Sequence, residues 1–272
     1  MAPRRHRLRA VGGRAATVVA VLATACVAVA ISYYDGKGVG DPESLAGWSE
    51  FDSGGGDSVA SQDVAHSGSW SVKQTINTTG GSSSGTRMFR WAELRTLKPG
   101  QAARISVWVY IPKPVQITGY FNLFQNKSHT QDDSYIDVFW QVNLRSRSDG
   151  SLYLNAAWGC GAENPSFPLG PFATSTNLCN YQQPLQNIDF PVAKWVKLTE
   201  EITPSSTYTG TFKFWQDDTL LYDYEGNVLT GYPNTRDSNG VDDEFAVNAY
   251  SNGTNPAAYT QYVDDASITP LP

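Results

Sequence analysis

Tyr135-Ile136-Asp137-Val138-Phe139-Trp140-Gln141-Val142-Asn143-Leu144-Arg145 alternates without a break. As a β-strand, this run sends Ile136, Val138, Trp140, Val142 and Leu144 to one face, and Tyr135, Asp137, Phe139, Gln141, Asn143 and Arg145 to the other. The first face is core. The second mixes rings with hydrogen-bonding groups, which suits a sugar: flat apolar surfaces to stack on, beside donors and acceptors for hydroxyls. A plain solvated face is the alternative, since antiparallel sheets routinely have one wet side.

Working outward, strand-like runs recur with turn signals between them and no helical periodicity of useful length. They are expected at 47–51, 69–76, 87–97, 103–111, 120–126, 135–145, 152–158, 195–202, 211–216, 244–250 and 261–268. Asp149-Gly150 reads as a hairpin turn, as does Asp217-Asp218 before Leu220, and Gly80 to Gly85 as a flexible loop. Ala103, Ile105, Val107, Val109 and Ile111 alternate with Arg104, Ser106, Trp108 and Tyr110, a second strand with an apolar face and an aromatic-polar face, which suggests a broad sheet face lined with rings; the alternative is that Trp108 and Tyr110 are packed beneath a loop. The expectation is an all-β, two-sheet antiparallel sandwich over residues 45–272, a size such domains reach without dividing.

Ahead of it, Arg4, Arg5, Arg7, Arg9 and Arg14 precede an uncharged run from Ala15 to Tyr34. That charge order marks residues 1–30 as a signal peptide, with Ala28-Val29-Ala30 as cleavage site. An uncleaved membrane anchor remains open because the run approaches spanning length, and so does lipid attachment at Cys26. Residues 31–44 are a linker. The expected address is secreted or cell surface, with membrane contact only through an uncleaved N-terminal segment. Cleavage would remove five of the 20 basic residues and none of the 26 acidic ones, taking the formal charge from −6 to −11. A nucleic-acid partner is therefore not expected, and a long polyanion is disfavoured unless a local basic patch meets it. In an exported protein Cys160 and Cys179 are expected to pair across their Pro/Gly/Asn-rich stretch, adding on the order of 3 kcal/mol; two free thiols are the alternative. The three His residues are too scattered for a zinc site.

Within 87–97, a strand would place Trp91, Glu93 and Arg95 on one face, a ring, a carboxylate and a guanidinium able to grip a sugar, or a surface Glu93–Arg95 ion pair. Here a resemblance enters. Glu93-Leu94-Arg95 resembles the Arg-x-Glu-Leu-Arg strand of alginate lyases, with Trp91 where the first Arg would be. Gln125-Asn126-Lys127 resembles their Gln-x-His strand, with Lys127 in place of His and His129 two residues on. Glu244 to Asn252 resembles the late strand carrying a catalytic Tyr: Tyr250 matches, while Ala246 replaces the usual Lys and Asn252 the Gln. The order of elements is similar to the jelly-roll, concanavalin A-like polysaccharide lyases, a group that includes alginate, glucuronan and heparin lyases.

The resemblance implies β-elimination on a uronate-containing polysaccharide. Removing the proton beside a carboxylate requires that the carboxylate be neutralised and that a base lie within reach. Arg95, Gln125 and Lys127 are the expected neutralising groups, Tyr250 or His129 the base. Trp91, Glu93, Tyr135, Asp137, Phe139, Gln141, Asn143 and Arg145 are the expected substrate-binding set, with Arg145 as the reader of a carboxylate. A non-catalytic carbohydrate-binding module and a surface structural or adhesion protein are the alternatives. Glycoside hydrolysis would need two facing carboxylates, and no Glu-x-Asp-x-Glu spacing occurs.

Tyr262 to Ile268, with Gly47-Trp48 and His66 to Ser71, also resembles the closing and opening strands of extracellular sugar-binding sandwiches. In those a calcium ion often joins the ends. Asp265 and Glu43 would be its ligands here; the alternative is that the aspartates bond backbone amides or solvent. No cofactor is required for the expected chemistry, and the protein is expected to act as a monomer.

Overall fold

The computed structural model describes residues 48–131, 136–158, 181–207, 209–228, 230–231 and 234–272, with the backbone alone for 136–139, 158, 181–187 and 224–228. The expected signal and linker, Glu43, Tyr135, Cys160 and Cys179 lie outside the described residues.

Two seven-stranded antiparallel sheets face each other. The first runs β1 (Ser49–Ser53), β4 (Ser84–Arg90), β14 (Asp243–Ser251), β7 (Phe121–His129), β8 (Ile136–Ser146), β9 (Leu152–Trp158), β10 (Tyr181–Phe190). The second runs β13 (Thr219–Val228), β12 (Gly210–Gln216), β11 (Trp195–Thr203), β5 (Ala103–Tyr110), β16 (Ala258–Pro270), β3 (Ser71–Asn77), β2 (Asp57–Ser61). A short ribbon pairs β6 (Gln116–Ile117) with β15 (Thr254–Asn255). This is a two-sheet sandwich, as the alternation implies, and of jelly-roll type, as the resemblance implies.

Period-2 burial builds the core between the sheets: β11 and β12 bury every second residue. Trp140, Val142 and Leu144 of β8 are fully buried. The Trp140 ring stacks on Phe212 of the opposite sheet, 4.1 Å between centroids, and Phe124 meets Phe214 edge-on at 5.6 Å. Each such ring removes roughly 150–250 Å² from water, so these contacts dominate the inter-sheet adhesion. β14 departs from alternation, burying eight of its nine residues. It lies inside its sheet, between β4 and β7, with core on one side and, on the other, side chains that pack against one another.

Three expectations are corrected. Residues 87–97 are not one strand: β4 ends at Arg90, and Ala92–Arg95 forms a single helical turn, α1, closed by the Arg95 amide on the Trp91 carbonyl at 3.1 Å. Ala, Glu, Leu and Arg are all good helix formers, and Leu94 and Leu97 are buried. Trp91, Glu93 and Arg95 therefore share no strand face. Second, Trp108 and Tyr110 lie on the outer side of the second sheet, where the His66 ring covers Trp108 at 3.7 Å; they do not extend the face of β8. Third, β2 and β10 are strands without alternation strong enough to announce them. β10 carries Pro184, tolerated because this strand is a sheet edge and its register slips there.

Glu200 of β11 points into the core, 1% exposed, and accepts a hydrogen bond from Asn126 Nδ2 of β7 at 2.6 Å. Burial pushes its carboxyl from 4.5 up to about 8, the Asn126 bond only partly opposing it. Buried Asp243 is raised for the same reason. The folded chain thus keeps a proton that the unfolded chain has released above ordinary carboxylate pH, so stability falls as pH rises from 4.5 to about 8. Glu200→Gln keeps the acceptor for Asn126 and cannot ionise. Its Tm should exceed the parent's by on the order of 5 °C more at pH 8 than at pH 5; a gap that does not change with pH would show that Glu200 is not held protonated.

Candidate functional site

The registers of four adjacent strands set side chains out as a grid on the outer face of the first sheet. In one row Gly85 of β4, Tyr250 of β14, Asn122 of β7 and Asn143 of β8 stand opposite one another. Beside it, Arg87 stands opposite Asn248. The next row is Phe89, Ala246, Gln125 and Gln141, and the last sets Glu244 against Lys127. Most of these residues line a cleft of about 810 Å³, with Phe51 and Ser53 of β1 at the rim.

Bulges produce this grid. The β14–β7 register slips between Val247 and Tyr250, and the β7–β8 register slips between Asn122 and Phe124 and again between Asn126 and Lys127. An extra residue re-aims the side chains that follow, so Asn122 and Gln125, three apart, both line the cleft. The slip leaves backbone groups without ladder partners, and buried amides from the second sheet take them up. Gln261 Nε2 donates to the Asn248 carbonyl at 2.7 Å and to Gln74 Oε1 at 2.8 Å, while Gln74 Nε2 reaches the Val247 carbonyl at 3.4 Å. Both glutamines are fully buried.

On the floor, the Asn122 amide donates to Gln141 Oε1 at 3.1 Å and Asn143 Oδ1 at 3.2 Å, and Asn248 Nδ2 donates to Asn122 Oδ1. Arg87 Nη1 lies 2.6 Å from Glu244 Oε1, and His129 Nε2 lies 3.3 Å from Glu244 Oε2. Burial alone would raise the Glu244 carboxyl; the His129 hydrogen bond and the charges of Arg87, His129 and Lys127 hold it below its ordinary value, so it stays ionised.

The Tyr250 ring lies directly over Gly85, where a Cβ would overlap its Cδ2 and Cγ. On its other side it stacks with Tyr120, 5.6 Å between centroids. Burial and a hydrogen bond to the Tyr250 hydroxyl push the Tyr120 phenol up to about 12.

Of the expected site residues, the structure gathers Tyr250, Gln125, Lys127, Gln141 and Asn143 on one cleft. Asp137 and Phe139 belong to β8, but only their backbone is described. His129 sits beyond Lys127 at the end of β7, behind Glu244. Arg145 is outside the lining and donates to the Gly119 carbonyl. Arg95 is held by Asp242 at 2.6 and 2.8 Å, Glu93 by Arg90 at 2.7 and 2.8 Å, and Trp91 lies under the Arg95 guanidinium; none of the three lines the cleft. The cation that β4 does deliver is Arg87. Asp265 spends its carboxylate on His66 Nδ1 at 2.6 Å and Ser67 Oγ at 2.7 Å, tying that loop to β16.

Arg87, Asn122, Asn248, Tyr120 and Phe51 were not singled out by the sequence reading. Arg87 had a local signal, standing two residues past a glycine in an alternating run; the others depend on register.

Neither a protein-family model nor any curated protein matches the sequence. Solved structures do. The endo-β-1,4-glucuronan lyase of the fungus Trichoderma reesei is 17% identical, with a TM-score of 0.62 over 83% of this chain and 92% of that one. Alginate lyase Aly36B, as a variant in complex with an alginate trisaccharide, is 10% identical, with a TM-score of 0.56 over 89% of this chain and 98% of that one. Alginate lyase vAL-1 from a Chlorella virus is 10% identical, with a TM-score of 0.51 over 84% and 94%. The fold is that of these lyases.

The close approach of Tyr250 to Gly85 predicts a coupled pair. Gly85→Ala should destabilise by about 1–3 kcal/mol through overpacking. In a Tyr250→Ala background most of that cost should vanish in denaturant unfolding; additive effects would mean that the ring does not lie on Gly85.

Proposed function

We propose that the chain is an exported polysaccharide lyase that cleaves a uronate-containing polysaccharide by β-elimination in this cleft. The observation that carries the reading is Tyr250 set beside Arg87 in one groove. They are diagonal neighbours on paired strands, separated at Cβ by roughly 7 Å, which leaves room for a sugar carboxylate between guanidinium and phenol. Arg87, with Gln125 and Lys127 further along the cleft, neutralises that carboxylate and so acidifies the adjacent C–H. Tyr250 enters the step as its phenolate and takes the proton, becoming the neutral phenol. The electron pair forms the C4=C5 double bond, the C4–O bond breaks, and the leaving oxygen is protonated, Tyr250 being the nearest group that has just gained a proton. Tyr120, stacked on Tyr250 and kept protonated by burial, is placed to stabilise negative charge on the Tyr250 oxygen. Glu244 orients Arg87.

His129 is the weaker base: it is turned to Glu244 and lies outside the lining. Hydrolysis is disfavoured, because no carboxylate is found among the described lining residues and two would be needed. Export is supported by the charge order of residues 1–30.

Incubation with uronate polysaccharides, followed by ultraviolet absorbance, reads the unsaturated product directly. Tyr250→Phe keeps the ring on Gly85 and Tyr120, so it should fold normally, retain polysaccharide in gel retardation, and lose about 10²–10⁴-fold in rate. Retardation by the parent protein without any absorbance would convert the reading to a binding module.

A further inference from the structure

We propose that the substrate is a heteropolysaccharide in which a single uronate is flanked by neutral sugars, rather than a polyuronate with a carboxylate on every ring. This rests on the elimination reading and names the substrate class of the same cleft.

Positive charge is scarce in and around the cleft. Two cations line the cleft, Arg87 and Lys127, and Arg87 is already offset by Glu244 at 2.6 Å. Seven further basic residues are held in ion pairs outside the lining, as Lys73 is by Asp63 and Arg236 by Asp242. Arg145 donates to a backbone carbonyl. Lys98, Lys113 and Lys194 stand on exposed connections, and Lys197 on the outer side of the second sheet. The sequence closes the remaining gaps: 132–135, the connection between β7 and β8, and 159–180, between β9 and β10, contain Asp132, Asp133 and Glu163 but no Lys or Arg. Between residue 38 and the C-terminus the remaining basic side chains are His66, stacked on Trp108 outside the second sheet, and His129, turned to Glu244 and outside the lining; there is no further Lys or Arg to bring to the groove.

The rest of the lining is of a different chemistry. Asn122, Gln125, Gln141, Asn143 and Asn248 are neutral amides that both donate and accept, as hydroxyls require. Phe51 at the rim, 57% exposed, offers a ring for the apolar face of a sugar. A carboxylate seated on amides alone loses its hydration without a counter-charge, whereas a neutral sugar there loses nothing it does not regain. The formal charge also repels a polyanion at long range, being −6 for the whole chain and more negative without its basic leader.

The test uses oligosaccharides of equal length: one set of 4-linked glucuronate throughout, one with a single internal 4-linked glucuronate between neutral hexoses. Absorbance of the unsaturated product should give a kcat/KM at least about tenfold higher for the second set. For that set, raising the salt to about 0.5 M should change kcat/KM by less than roughly threefold. Equal or faster turnover of the homopolymer overturns the proposal while leaving the elimination reading intact. If neither set yields absorbance, the elimination reading fails and gel retardation decides specificity: retention by the neutral-flanked polymer alone supports the proposal, and retention by the polyuronate, or by neither, overturns it.

Discussion

The slip in register between β14 and β7 is the constraint on which the cleft depends. An unbroken ladder would give a regular two-residue alternation, and Asn122 could not stand opposite Tyr250 while Gln125 also faced the groove. The slip is tolerable only because its carbonyls find donors in a dry interior, where a lost hydrogen bond costs about 1–3 kcal/mol. Those donors are Gln261 and Gln74, reaching across the sandwich from the second sheet. Asn126, between the cleft residues Gln125 and Lys127, is held from beneath by Glu200. The sheet that carries the site is therefore fixed by polar groups of the sheet that does not, within a core otherwise made of stacked rings.

That arrangement explains what could be read from the chain in advance. Alternation is a local property, so the strands at 103–111, 135–145, 152–158 and 195–202 were legible to within a residue or two, and with them the two-sheet fold. Tyr250, Gln125 and Lys127 were reachable because each keeps its place within a local motif. Arg95 misled for a complementary reason: the motif around it is intact as sequence, but Asp242, 147 residues away, holds the guanidinium and the local backbone is helical. Arg87, Asn122 and Asn248 owe their importance to strand order and register, which are non-local. Nothing within ten residues of Asn248 reveals that Arg87 will stand beside it.

Ala246 shows how one small residue shapes the site. It occupies the cell of the grid between Phe89 and Gln125, where the resemblance leads one to expect a lysine. A lysine there would put a third cation at the centre of the floor, beside Gln125. With alanine, positive charge is confined to Arg87 on one flanking strand and Lys127 on the other, while the amides from Asn248 to Gln141 remain hydrogen-bonded to one another through Asn122. One acceptor of that network, Asn248 Oδ1, is buried without a hydrogen-bond partner, so the network favours a partner that brings hydroxyl donors and disfavours a bare anion that can only accept. On the proposed elimination, the Arg87–Glu244 ion pair would be the point of charge recognition: Glu244, kept ionised by its neighbours, holds the guanidinium in place but weakens its net field, so that one carboxylate next to Tyr250 would be accepted without the groove becoming a general trap for polyanions.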